Sequence, residues 1–228
     1  LAHFVEHMGF NGGAHFKPGE LVKYLESIGA SFGADVNAYT SYDETVYMLD
    51  LPSDKPDVVA KGLTALADFA GGLSLTQEEV DKERGVVVEE WRGRLGAASR
   101  VRDTQAPVLF YKSRYADRSP IGKPEILRSA PVQRLRDFYD TWYRPERIAV
   151  VIVGDVKPED MEVNIRDAFG PLRDRAAAAP LPDNAVPLHT EDLVSVVSDT
   201  EVTSSSVQIL HKRPAETFDT VGDYRRTI

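Results

Sequence analysis

Residues 1–12 read LAHFVEHMGFNG and place His3, Glu6 and His7 inside one short, mostly apolar stretch. The stretch is helix-like, and on a helix residues four apart project from the same face one turn from each other. His3 and His7 therefore point the same way. Two neutral imidazoles at that spacing can converge on one tetrahedral metal. Glu6 follows His3 by three and precedes His7 by one, which leaves it beside the pair. The plain alternative is a helix with two surface histidines and a chance glutamate.

The order H-x-x-E-H is the inverted form of the zinc-protease helix, and a catalytic zinc takes three protein ligands with one position left open. Candidates for the third ligand lie in KERGVVVEEWRGR (82–94), which carries Glu83, Glu89 and Glu90 on a predicted helix. Glu83 and Glu90 are seven apart, two turns, and share a face; Glu89 faces about 100° away from Glu90. A helical glutamate taken alone is more often solvated than liganding. Here Val86, Val87 and Val88 make the middle of the helix apolar and bring the neighbouring acids close to a core. A buried carboxylate needs a partner, and a metal would be one.

Composition limits the function classes. The 228 residues are 42% hydrophobic and 28% charged, ordinary values for a globular chain able to bury a core. The net charge of -9 and the lack of a basic run argue against nucleic acid as a partner. There is no cysteine, which excludes disulfides and thiolate metal sites. No apolar stretch approaches membrane-spanning length, and no signal peptide is visible.

Working outward, helices are predicted over 1–10, 19–28, about 55–71, Thr76 to beyond Arg94, 131–143 and 158–169. Gly29 ends the second, and Thr76 with Glu79 forms a capping box for the fourth. Strands are predicted over 31–40, 44–51, RIAVVIVGD (147–155), LVSVVSD (193–199) and SSVQILHK (205–212). RAAAAPLPDNAVP (175–187) reads as a linker. The expected fold class is α+β, a mostly antiparallel sheet with helices packed on one face.

HFVEH followed some 75–85 residues later by E-x6-E resembles the pitrilysin family (M16) of inverted-motif zinc metallopeptidases. FNG, SFGADVNAYTSYDETVYML, ERGVVVEEWR, SPIGKPE and FYDTWYRPERIAVVIVGD agree with it, and the likeness is to bacterial PqqL-like zinc proteases in particular. The resemblance implies His3, His7 and Glu90 as ligands of one Zn2+ per lobe, and Glu6 as the general base for a zinc-activated water. Glu83 matches the family's second acidic position on that helix and would orient a ligand; Glu89 is the rival to Glu90. In DVNAYTS (35–41) the resemblance implies a sheet edge to which an extended peptide adds as a strand, with Asn37 and Ala38 in contact and Tyr39 packing nearby. His15 falls in a Gly-rich turn and is expected to be plain surface, and His189 and His211 receive no role.

The activity so implied is zinc-dependent hydrolysis of extended peptides or unfolded proteins, by an endopeptidase without a membrane span. Likeness to periplasmic bacterial proteins implies the periplasm of a Gram-negative bacterium. The family fold starts one or two strands before the zinc helix and pairs two related lobes. Residues 1–228 are therefore expected to be the N-terminal catalytic lobe of a longer protein, truncated at both ends and weakly active or inactive alone. The second lobe would come from the same or a partner chain. The rival function is a non-catalytic lobe with a structural or peptide-binding role, a type that characteristically loses motif residues; here H-x-x-E-H is intact.

Overall fold

Helix α1 (Ala2–Met8) is only seven residues long, and five of them are buried: His3, Phe4, Val5, Glu6 and Met8. A helix this short is marginal alone, so it is held by what surrounds it. The computed structural model describes residues 1–214 and 219–227, and the chain divides into two compact units. The first comprises residues 1–94 and 118–182, the second 95–117 and 183–228.

In the first unit, α2 (Glu20–Ser27) follows α1 and buries Leu21 and Leu25. It ends as expected at Gly29, with φ at +95°. The Gly29 N–H bonds to Glu26 O at 3.0 Å and the Ala30 N–H to Leu25 O at 3.0 Å, the paired bonds of a Schellman turn. Strands β1 (Val36–Thr40) and β2 (Thr45–Leu49) then form an antiparallel hairpin in which Val36 faces Leu49 and Thr40 faces Thr45. Residues 31–35, expected as strand, instead form a turn, where Gly33 takes φ +89° and donates its N–H to Val36 O.

Helix α3 (Pro56–Ala67) runs into a π-helical turn, Asp68–Gly72. Helix α4 (Gln77–Gly93) starts at Thr76, whose hydroxyl accepts the Glu79 N–H at 3.3 Å. Val80, Val87 and Val88 form its buried stripe, while Val86 is exposed. In the second unit, α5 (Ala97–Leu109) continues through Pro107 near its C-terminal end. Back in the first unit come α6 (Pro124–Ser129), α7 (Val132–Trp142) and α8 (Pro158–Phe169). Neither α5 nor α6 is evident from periodicity. Helix α9 (Val221–Thr227) lies in the second unit.

Two apolar clusters make the interior of the first unit. Phe4, Val5 and Met8 of α1 meet Val80, Val87 and Val88 of α4, with Leu127, Leu135 and Tyr139. Leu21, Leu25, Val36, Ala65 and Phe69 form the other. Gly9 lets the hairpin reach the end of α1: a Cβ there would stand 2.8 Å from Tyr47 Cε1. Arg84 of α4 donates to Leu127 O and Ala130 O, fastening α4 to the α6 region.

The class is α+β, helix-rich, with a small antiparallel sheet of two strands among the described residues. Residues 147–155, 193–199 and 205–212 carry no ladder among them. Burial in 148–153 and 193–199 still alternates with period two, so the β-branched runs do produce extended backbone. A strand also needs a hydrogen-bonded neighbour, and Val151, Val153, Val194 and Val196 stay 78–91% exposed. The segment 175–187 has no regular structure, but its start is anchored. Arg175 pairs with Asp140, while Arg144 and Arg147 donate to Ala176 O and Ala179 O.

Candidate metal centre

Packing of α1 on α4 brings the two motifs together. Apolar Phe4, Val5 and Met8 turn one side of α1 into the core, which leaves His3 and His7 on the side towards α4. Their rings lie edge to face with centroids 4.6 Å apart. His7 Nε2 is 3.0 Å from Glu90 Oε2, and His3 Nε2 is 3.5 Å from Glu90 Oε1. One ligand atom from each of His3, His7 and Glu90 lies within 4.8 Å of the others. Tetrahedral bonds of about 2.0–2.1 Å imply ligand–ligand edges of roughly 3.3–3.4 Å. Two imidazole nitrogens and a carboxylate oxygen at these separations fit a zinc ion.

The surroundings support that donor set. Glu83 accepts from His7 Nδ1 at 2.8 Å, which turns Nε2 towards Glu90, and Asn11 donates to the other Glu83 oxygen at 2.9 Å. A carboxylate behind a ligating histidine fixes its tautomer and raises its basicity. His3 Nδ1 is buried without a hydrogen-bond partner among the described residues. Burial pulls the His3 pKa down to about 4 despite the opposing charge of Glu90, so its ring is neutral near pH 7. Burial acts downward on His7 as well, but the hydrogen bond and charge of Glu83, with Glu90 and Glu6, raise it overall. Burial would raise Glu83, and hydrogen bonds from His7 and Asn11 bring it below its ordinary value instead.

Glu89 is exposed and ion-paired with Arg92. Glu90 faces the histidines and also pairs with Arg94, one turn on. Glu6 is 6% exposed, and its pKa is raised by burial against the pull of a hydrogen bond from Thr40. Thr40 Oγ1 donates to Glu6 Oε2 at 2.5 Å, so β1 reaches the site through its last residue.

On β1, Asn37 and Tyr39 are exposed and Ala38 is half-buried. The Ser41 N–H to Glu44 O and Asp50 N–H to Asp35 O bonds set the ladder phase. By antiparallel alternation Asn37 and Tyr39 bond to β2, while Ala38 and Thr40 turn their main-chain groups to the other edge. Among the described residues that edge carries no strand beyond the Phe32–Val36 bridge. The Ala38 N–H is taken by Asn37 Oδ1 at 2.8 Å, and the Tyr39 hydroxyl bonds to Glu44. His15 is exposed, yet it is not plain surface: its ring and main-chain N–H both bond to buried Asp68.

Asn11, Thr40 and Arg94 were not singled out from the sequence. Arg94 follows Glu90 by four at the end of α4, a signal within helical reach, whereas Asn11 lies beyond the end of α1 and carries none. Thr40 carries no such mark, because its contact with Glu6 spans 34 residues and two elements.

Fold and donor set together resemble a metallopeptidase lobe. Residues 1–104 match the family profile described as Insulinase (Peptidase family M16), and residues 129–216 the one described as Peptidase M16 inactive domain. The chain belongs to peptidase family M16.

It is similar to the zinc protease PQQL-like of Arabidopsis thaliana, 38% identical over 99% of this chain and 24% of that protein. It is similar also to the probable zinc protease PqqL of Escherichia coli strain K12, 34% identical over 94% of this chain and 23% of that protein. Among solved structures it superposes on the first half of the periplasmic protease PqqL from Escherichia coli. The TM-score is 0.76 at 35% identity, over 82% of this chain and 40% of that one. The chain thus spans about a quarter of the length of these curated relatives.

Proposed function

We propose that the chain is the zinc-bearing catalytic lobe of a metalloendopeptidase that cleaves extended peptides. The convergence of His3, His7 and Glu90 beside a buried glutamate carries this reading. These three residues would hold the zinc, with Glu83 and Asn11 holding His7. Zinc, when bound, supplies Lewis-acid chemistry that makes water nucleophilic near neutral pH and polarises the scissile carbonyl. Glu6 is the general base: it takes a proton from the attacking water and gives it to the leaving amide nitrogen. Its Oε2 is held by Thr40, and Oε1 has no protein donor among the described residues, so Oε1 is the oxygen that moves the proton.

An extended peptide pairs with the open edge of β1, meeting Ala38 through main-chain bonds with Asn37 and Tyr39 alongside, which gives affinity with little side-chain preference. A second related lobe completes the chamber, and the periplasmic relative supports that location for this protein.

The test is zinc content and peptide hydrolysis of the full chain, with and without chelator. Replacing His3, His7 or Glu90 should each abolish metal binding, whereas Glu89→Gln leaves it unchanged. Glu6→Gln should retain zinc and lose about 100- to 10,000-fold in turnover. Chelator-insensitive hydrolysis, or none from zinc-loaded wild type, would refute the reading.

A further inference from the structure

Glu6 sits on a helix that fixes its backbone, but helix geometry leaves the carboxylate free to turn about the side-chain torsions. Among the described residues one donor holds that carboxylate, the Thr40 hydroxyl at 2.5 Å. Thr40 is itself well constrained. It is β-branched and stiff about χ1, and it sits on a paired strand opposite Thr45. Thr45 Oγ1 lies 3.1 Å from Thr40 Oγ1. A hydroxyl has one proton, and an ionised carboxylate only accepts. The proton of Thr40 therefore goes to Glu6, which leaves Thr45 to donate to Thr40 and to accept from its other hydrogen-bond partner, the Tyr143 hydroxyl. Two hydroxyls in line, both directed at Glu6, polarise each other and strengthen the terminal bond.

The main chain of Thr40 faces the open edge of β1 while its side chain reaches Glu6. A peptide adding to that edge thus contacts the residue that aims the carboxylate. We infer that Thr40 is a positioning residue: it orients Glu6 for proton transfer and couples occupation of the β1 edge to that orientation, with Thr45 directing its proton. This rests on the endopeptidase reading above and adds to it a residue that touches neither metal nor the scissile bond. Hydroxyl donors to charged groups are worth enough that removing one should cost roughly 10- to 100-fold in rate.

The decisive variant is Thr40→Val, which keeps the shape and removes the hydroxyl. In the full chain its zinc content should equal that of wild type and KM should stay within about threefold, while kcat falls roughly 10- to 100-fold. Thr40→Ser should recover kcat to within a few-fold, and Thr45→Val should lose less than Thr40→Val. Crystal structures of wild type and Thr40→Val give a readout independent of turnover, in which the Glu6 carboxylate should leave its Thr40-facing position. Unchanged kcat with an unmoved Glu6 in Thr40→Val overturns the inference, as does a Thr40→Ser variant as impaired as Thr40→Val. If zinc-loaded wild type hydrolyses nothing, the endopeptidase reading fails, and the two crystal structures still decide whether Thr40 sets Glu6.

Discussion

The two units of the chain are held by different forces. All the buried hydrophobic side chains among the described residues belong to the first, which also contains both apolar clusters. The second, among the same residues, buries only the polar Ser99 and Ser113. Its contacts are polar instead: Arg100 of α5 grips Asp199 and Glu201, and Ser113 donates to Asn184 O. Every residue assigned to the metal centre is in the first unit, where rigid packing can hold a ligand set within a few tenths of an ångström. A buried core fixes geometry in a way that solvated ion pairs do not.

Substitutions should separate the units sharply. Phe4 is fully buried in the core on the side of α1 away from the histidines, and Phe4→Ala should lower stability by about 3–5 kcal/mol, read from denaturant unfolding. A loss under about 1 kcal/mol would mean that α1 is not an integral part of the core. Glu83→Gln should next weaken zinc binding about 10- to 100-fold, measured by competition with a chromophoric chelator, since His7 loses the carboxylate that orients it. Unchanged affinity would limit Glu83 to a packing role.

Proton release tests the histidines more finely. His3, with a pKa about 4, is neutral at pH 6.5, whereas His7, raised above its ordinary value, is mostly protonated there. Zinc must displace the proton on His7 but none on His3. Uptake at pH 6.5 should release more than half of one proton per zinc from the histidines, fading as pH rises. Calorimetry in buffers of different ionisation enthalpy measures this, and release approaching two would show both rings protonated. Smallest of all, Arg100→Gln should lower stability only slightly and by less at high salt, because Arg100 and Glu201 are open to solvent while Asp199 is shielded.

What the sequence disclosed followed the range of its signals. His3, Glu6 and His7 were legible because the helical period alone places them. Glu83 and Glu90 share a face two turns apart, but periodicity alone leaves Glu89 as a rival, and it is the resemblance to the M16 family that points to Glu90. Asn11, past the end of α1, carries no helical signal, and its bond to Glu83 exists only once α1 packs on α4. Thr40 could not be found that way, since its role exists only once the hairpin folds against α1. The run RIAVVIVGD shows the complementary limit: β-branching dictates extended backbone and period-two burial, but not a neighbour to pair with.

The Asn37 side chain, folded back onto the Ala38 N–H, has a consequence for how the protein survives at high concentration. Among the described residues the β1 edge beyond the Phe32–Val36 bridge carries no partner strand, and such an edge beside exposed Tyr39 is a template for any extended chain, another copy of this protein included. By occupying the Ala38 N–H, the Asn37 amide would make pairing of a second copy with that edge less favourable. An incoming strand must exchange that local bond for its own, so brief encounters gain little while a long, well-seated chain still profits. Selectivity for extended chains and resistance to aggregation would then share one side-chain amide.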